Sequence, residues 1–342
     1  MSPKFAESVI TDPLDRAIIR ALQVSPRAPF RLLADVLATS EQTVARRYRR
    51  LCRTGVLRVT TVLNPTALGQ SNWALRVQCK PGGSGALAQA LAQRDDVGWV
   101  SLAGGGSEVL CVLRARTEQA RDDLLLQRLP RAAPVLGVTA SVVLHPFLGA
   151  HSDDWTELRD CLDAGAEARL RAWSDVEPGG DPDPTDPVEL SATDLAMLDV
   201  LVRDGRAPYA AVAAAVGLGE AQATRRLRAL LRRGVAYFDV DVAAAALGIR
   251  TPAYLWLQVT PAALASAGTA LAAEREVAYA AAVSGAHNLT AAVMCRNLEA
   301  LYTFVITRVG ALDGVQAMEV SPLWRVVKQA GAMLDGDRLA TA

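Results

Sequence analysis

The chain repeats itself, and any fold it adopts must accommodate the repeat. With a shift of 179 residues, Asp15, Ala17 and Leu22 fall on Asp194, Ala196 and Leu201, and Arg27-Ala28-Pro29-Phe30 falls on Arg206-Ala207-Pro208-Tyr209. Ala34, Glu41, Arg46-Arg47, Arg49, Leu51, Arg53 and Gly55-Val56 then fall on Ala213, Glu220, Arg225-Arg226, Arg228, Leu230, Arg232 and Gly234-Val235. The register continues with one extra residue, Leu75-Arg76-Val77-Gln78-Cys79-Lys80-Pro81 against Leu255-Trp256-Leu257-Gln258-Val259-Thr260-Pro261. A unit of roughly 140 to 150 residues is too long for a solenoid repeat. Each unit is therefore a set of domains in its own right.

The formal charge of the 342-residue chain is zero, with 36 basic and 36 acidic residues, but the charges are segregated. Residues 12–58 hold ten Arg against four acids, residues 148–190 three against twelve, and residues 191–238 seven against four. Only Lys4, Lys80 and Lys328 are lysines, a bias that makes arginine abundance alone poor evidence for nucleic acid. The acidic stretch includes Pro178-Gly179-Gly180-Asp181-Pro182-Asp183-Pro184-Thr185-Asp186-Pro187, which excludes helix and strand and reads as a linker. Before it, Ser152 is a candidate cap for a connecting helix with Trp155, Leu158, Leu162, Ala166, Leu170 and Trp173 at helical spacing.

The first part of a unit reads as three short helices. One runs from Pro13 to Val24, a second from Phe30 to Leu37, and a third, capped by Ser40, runs to Arg53 and is ended by Gly55. The third puts Val44, Tyr48 and Leu51 inward and Gln42, Thr43, Arg46, Arg47, Arg50 and Arg53 outward. This is the pattern of a helix-turn-helix, whose second helix enters the DNA major groove. A solvated face of an arginine-biased bundle is the plainer alternative. Charge from composition bias need not keep register, however, and these arginines recur at the same helical positions in the second unit. The candidate DNA-contacting residues are Ser40, Gln42, Thr43, Arg46, Arg47 and Arg50, with Gln222, Arg225 and Arg226 in the second unit. Ala229 stands opposite Arg50 and Ala221 opposite Gln42, so the two readers are unequal.

The second part of a unit changes period. Strands are expected at 74–79, 98–103, 109–114 and 138–144, and helices at 86–93 and 117–129. The order βαββαβ is that of the ferredoxin-like α+β sandwich, with a copy at 253–328. A sheet with one bare face implies a partner for that face, from the same chain or another. The expected division is 8–64 and 189–243 for the helix-turn-helix domains, 70–147 and 250–330 for the sandwiches, and 148–188 for the connector.

Other chemistry finds little support. Cys52, Cys79, Cys111, Cys161 and Cys295 are scattered without metal-ligand spacing, so no metal is expected. Gly82-Gly83-Ser84-Gly85 and Gly104–Gly106 lack the spacing of a phosphate cradle and read as turns. His145, His151 and His287 have no partner at a catalytic spacing, so neither a catalytic residue nor a cofactor is expected. The N-terminus has no apolar core of a signal peptide and no apolar run is long enough for a membrane helix, so a cytoplasmic protein without a membrane partner is expected.

The set Leu14-Asp15-x-x-Ile18-Ile19-x-x-Leu22, Leu33-Ala34, Ser40-x-x-x-Val44-x-x-Arg47-x-x-x-Leu51-x-x-x-Gly55-Val56-Leu57 and Leu63-Asn64-Pro65-x-x-Leu68-Gly69 resembles the Lrp/AsnC (feast/famine) family of transcription regulators. The resemblance implies double-stranded DNA as partner and an effector domain that dimerises through its sheet. It also implies closed oligomers and a small-molecule effector, often an amino acid. By that resemblance the effector-binding candidates are Gly105, Ser107, Glu108, Gly285, His287 and Asn288, although the usual Gly-x-x-Asp loop here reads Gly105-Gly106-Ser107-Glu108 and Gly285-Ala286-His287-Asn288. The first turn carries Ala38-Thr39 where the family has Gly-Leu, and the second keeps Gly217-Leu218 but has Gly219 in place of the capping Ser. Sirohaem decarboxylases share the layout, including fused pairs, and supply the competing enzymatic reading; a decayed, non-DNA-binding interaction protein is the third.

Overall fold

The computed structural model describes residues 10, 12–149, 155–173 and 186–340. The first helix-turn-helix comprises α1 (Pro13–Val24), α2 (Phe30–Val36) and α3 (Glu41–Arg53), followed by strand β1 (Leu57–Leu63). Asp12 caps α1 by accepting from the Leu14 N–H at 2.9 Å, and Pro13 occupies the first helical position, where its missing N–H is not needed. Gly55 ends α3 with φ +66°, as its counterpart Gly234 ends the matching helix with φ +65°.

The first sandwich comprises β2 (Trp73–Cys79), α4 (Ser84–Ala92), β3 (Val97–Ala103), β4 (Glu108–Leu113), α5 (Glu118–Asp122), a π-helical turn (Asp123–Arg128), α6 (Leu129–Arg131) and β5 (Val135–Leu148). The widened turn immediately precedes Pro130, which has no N–H for a regular helix and whose ring crowds the preceding turn.

The connector holds a 3-10 helix (Thr156–Cys161) and α7 (Ala164–Ala172). The single continuous helix expected there is thus broken: Asp163 caps α7 by accepting from the Ala166 N–H at 2.8 Å. Leu158 and Leu170 are still fully buried, packed in the core of the first helix-turn-helix. The expected cap at Ser152 and most of the Pro/Gly stretch lie outside the described residues.

The second unit repeats the plan as α8 (Ala192–Arg203), α9 (Tyr209–Ala215), α10 (Glu220–Arg232), β6 (Ala236–Val242), β7 (Thr251–Val259), α11 (Leu264–Ala272), β8 (Val277–Val283), β9 (Leu289–Cys295), α12 (Leu298–Thr307) and β10 (Val315–Gln329). A terminal hairpin, β11 (Ala332–Asp335) and β12 (Arg338–Leu339), follows.

The two units are joined by strands. β1 pairs with β6 antiparallel from Leu57↔Val242 to Leu63↔Ala236, so Thr60 lies opposite Asp239, its own counterpart under the repeat. The ladder therefore has a local two-fold axis through its centre. The remaining strands follow the same symmetry. The first half of β5 pairs with β2 and its second half with β8, while the first half of β10 pairs with β7 and its second half with β3. Each long strand ends in the other unit's sheet and covers an edge that would otherwise expose N–H and C=O groups. The partner that each sheet face requires is the other unit of the same chain. Ala103, Leu110 and Trp256 are buried where the units meet, with Ala74, Tyr254 and Leu323 packed around them.

The turn before α3 carries a local cost. Ala38 has φ +49° where its counterpart Gly217 has φ +66°, and only glycine takes this left-handed conformation without strain. Ala38→Gly is expected to raise the unfolding free energy in urea by about 0.5–1 kcal/mol, less than the full relief of strain because glycine also loosens the unfolded chain. An unchanged or lower midpoint would contradict the reading of strain.

Candidate nucleic-acid interface

An arginine at the same position of α3 and α10 ties each helix to the start of its domain. Arg47 donates to Asp12 Oδ2 at 2.5 Å and to Asp15 Oδ1 at 3.0 Å. In the second unit Arg226 donates to Asp194 Oδ1 at 2.5 Å, to Asp194 Oδ2 at 2.9 Å and to Ser191 Oγ at 2.8 Å. Under the repeat, Asp12 matches Ser191 and Asp15 matches Asp194, so this is one clamp used twice. Asp15 and Asp194 are only 3% and 5% exposed, which makes them poor at meeting any partner other than the guanidinium beside them. The Arg226 guanidinium holds the Asp194 carboxyl down at about 2, and Arg47 lowers that of Asp12 in the same way.

This corrects the expectation that Arg47 and Arg226 point outward with the rest. Their helical positions face the first helix of each domain, and their charge is consumed there. Arg50 also pairs with Asp15, while its exposed counterpart Ala229 has no charge to offer. Ser40 is a cap: its Oγ accepts from the Thr43 N–H at 3.1 Å and donates to Thr43 Oγ1 at 2.8 Å. Gln42 and Gln222 are exposed near the helix starts.

What remains outward on α3 is Arg46, Arg49 and Arg53, all exposed, and on α10 Arg225, Arg228 and Arg232. An open depression of about 730 Å³ runs along α10, lined by Glu220, Ala221, Thr224, Arg225, Arg228 and Arg232. Arg49 and Arg228, Arg53 and Arg232 are further matched pairs that helical periodicity places on this face, and the identity of both halves at these positions was the signal for them.

The other candidate residues are divided between surface and interior. Gly104, Gly105 and Gly106 take φ of +57°, +66° and +92°, a turn closed by Ser107 Oγ donating to Gly104 O at 2.8 Å. Glu108 is turned inward, where Arg76 Nε donates to it at 2.8 Å, and the same guanidinium bridges to Glu319 and lies 4.7 Å from the Trp256 ring. Asn288 closes the strand end instead of facing outward: its Oδ1 accepts from the Val259 N–H and its Nδ2 donates to Val259 O, both at 2.8 Å. Gly285 is exposed, close to Ser141 of the other unit, and His287 is half-buried on the side of Glu319. Among the described residues, no group of three metal-ligating side chains is placed to hold an ion, and no helix is long and apolar enough to cross a membrane.

Two helix-turn-helix modules, paired across a two-fold axis and carried on ferredoxin-like domains, define a class of protein built to present two helices together. The AsnC-type helix-turn-helix domain matches residues 12–51 and 190–231, and the Lrp/AsnC ligand binding domain matches 252–333. Both domains of the Lrp/AsnC family are thus matched, the helix-turn-helix twice. An uncharacterized HTH-type transcriptional regulator of Pyrococcus abyssi is 29% identical over 142 residues, 41% of this chain and 90% of the relative. The HTH-type transcriptional regulator FL11 of the same organism is 29% identical over 119 residues, 34% of this chain and 79% of the relative. The crystal structure of the siroheme decarboxylase NirDL superposes over 93% of both chains with a TM-score of 0.61 at 13% identity, a likeness of fold.

The clamp makes a titration prediction. Because the folded Asp194 carboxyl lies near 2, below its ordinary 3.8, its contribution to stability is present above 3.8 and is lost as pH falls through about 2. In Arg226→Ala, NMR titration of the Asp194 carboxyl should place it back near or above 3.8. A value still near 2 would show that Arg226 is not the group responsible.

Proposed function

We propose that the chain is a sequence-specific DNA-binding transcriptional regulator in which α3 and α10 read adjoining half-sites. The observation that carries this reading is the matched set of outward arginines on the two helices, Arg46 with Arg225 first among them, each helix being held by a separate inward arginine. Guanidinium groups suit both phosphate oxygens and the acceptor edge of guanine. The relatives named above are regulators, which supports the same reading. Arg50 and Gln42 have alanine opposite them in the second unit, so the operator has unequal halves about one helical turn apart.

The sandwich domains bind a small-molecule effector, an amino acid or another small metabolite, through the loops at Gly105 and Ser107 and at Gly285 and His287. Glu108 and Asn288 shape those loops through bonds to the chain itself. Saturable thermal stabilisation by one amino acid in a screen, lost in Ser107→Ala or His287→Ala, is the expected outcome. A shift that survives both changes would place the ligand elsewhere. The built-in pairing of the sheets leaves further self-association, into a closed dimer or larger ring, to other surfaces. The protein works in the cytoplasm, without a membrane partner and without catalysis. His145, exposed and set edge-on to Phe147 at 4.8 Å, lends the decarboxylase reading no support.

Binding to DNA from the gene's own upstream region should weaken steeply with salt, each lost phosphate contact lowering the slope of log K against log salt by about 0.9. Arg46→Ala should weaken binding by about 1–3 kcal/mol, and Arg225→Ala by less. Unchanged affinity in Arg46→Ala would refute α3 as the reading helix, and an equal or larger loss in Arg225→Ala would refute the inequality of the readers.

A further inference from the structure

The tetrapeptide Arg-Ala-Pro-Phe/Tyr is kept in both units yet lies outside the reading helices. Across the two-fold axis, Arg27 donates to Gly205 O at 2.5 Å and to Ala207 O at 3.2 Å, with its guanidinium 4.6 Å from the Tyr209 ring and 5.0 Å from the Phe238 ring. Arg206 returns the contact, donating to Pro26 O at 2.6 Å and to Ala28 O at 2.8 Å, 4.7 Å from the Phe30 ring and 5.5 Å from the Tyr48 ring. Pro26 matches Gly205, Ala28 matches Ala207 and Phe30 matches Tyr209 under the repeat. Each arginine thus grips the turn that contains the other.

A guanidinium suits this task because its planar fork reaches two carbonyls while its face lies on an aromatic ring; an ammonium does not do both. The gripped turns lead directly into α2 and α9, which pack on α3 and α10, and Tyr48 belongs to α3 itself. The clasp consequently ties one reading helix to the other through two short, ring-backed links.

We infer that Arg27 and Arg206 are positioning residues that set the separation and angle of α3 and α10, so that one chain accepts one spacing of half-sites. Neither arginine lies on a reading helix. The inference rests on the DNA-reading role proposed above, and its test keeps the two apart.

The test uses Arg27→Lys with Arg206→Lys in the full chain, which leaves the net charge and so the general attraction to phosphate unchanged. Spin labels on genetically encoded side chains at positions 53 and 232 report the distance between the helices without DNA. Affinity is measured on duplexes that the wild-type chain selects from a random pool, and on the same duplexes with two or three base pairs inserted between the half-sites. Such an insertion turns one half-site by about 70–105° around the duplex. The wild-type chain should show a narrow distance distribution and lose at least about tenfold on the insertion, the scale of a mispaired contact. The double variant should show a broad distribution and lose less than about threefold.

A narrow distribution in the variant would overturn the clasp. An unchanged spacing penalty in the variant, or none in the wild-type chain, would overturn its role in operator choice. If the wild-type chain selects no DNA, the reading of the helices falls, and the label distances still decide whether the arginines hold them. Should the double variant fail to fold, Phe30→Leu with Tyr209→Leu removes the matched rings and leaves both guanidinium groups, with the same outcomes expected.

Discussion

The antiparallel ladder between residues 57–63 and 236–242 determines the rest of the arrangement. Because Thr60 faces its own counterpart Asp239, the ladder imposes a two-fold operation on everything before and after it. The helix-turn-helix domains are brought together on one side, close enough for Arg27 and Arg206 to exchange contacts. On the other side, β5 and β10 are each long enough to leave their own sheet and finish the edge of the other. Unpaired strand edges are costly and prone to aggregation, so this exchange fixes the register of both sheets at once.

On this symmetric frame the two units have diverged in what holds them. The first helix-turn-helix is braced twice more: Arg20, only 1% exposed, pairs with Glu167 of α7, and the terminal hairpin docks where Leu339 N–H donates to Gly55 O at 2.8 Å. A side chain at Gly55 would meet the Leu339 carbonyl oxygen at 2.4 Å, so that docking requires glycine. The connector also reaches the second sandwich, where Glu157 accepts from Arg275 and Arg296. Among the described residues, no equivalent brace is seen on the second helix-turn-helix. The first helix-turn-helix is therefore linked through the connector to the second sandwich, a physical difference between the units beyond those at Arg50 and Gln42.

Much of this was legible in the sequence where local chemistry decides structure. Proline at a helix start, glycine at a helix end and alternation in the strands placed α1, α3 and the βαββαβ order to within a few residues. What sequence could not place were contacts between residues far apart in the chain. Arg46 and Arg47 are neighbours in the same arginine run, and Asp12 and the buried Asp15 clamp the second while the first stays exposed. The Arg27 and Arg206 motif was visible as a repeat, but its partners lie across an axis that no single unit contains. The extension of β5 past the expected end at 144 to Leu148 has the same origin, since that part pairs with β8 of the other unit.

As proposed, one chain by itself is a two-headed reader. Footprinting the purified wild-type chain on DNA upstream of its own gene, with the bound stoichiometry measured on the same fragment, tests it most directly. One chain should protect two adjoining, unequal half-sites on the same side of the duplex, about one helical turn apart. Protection of a single half-site per chain, or of two identical half-sites requiring two chains, would contradict it.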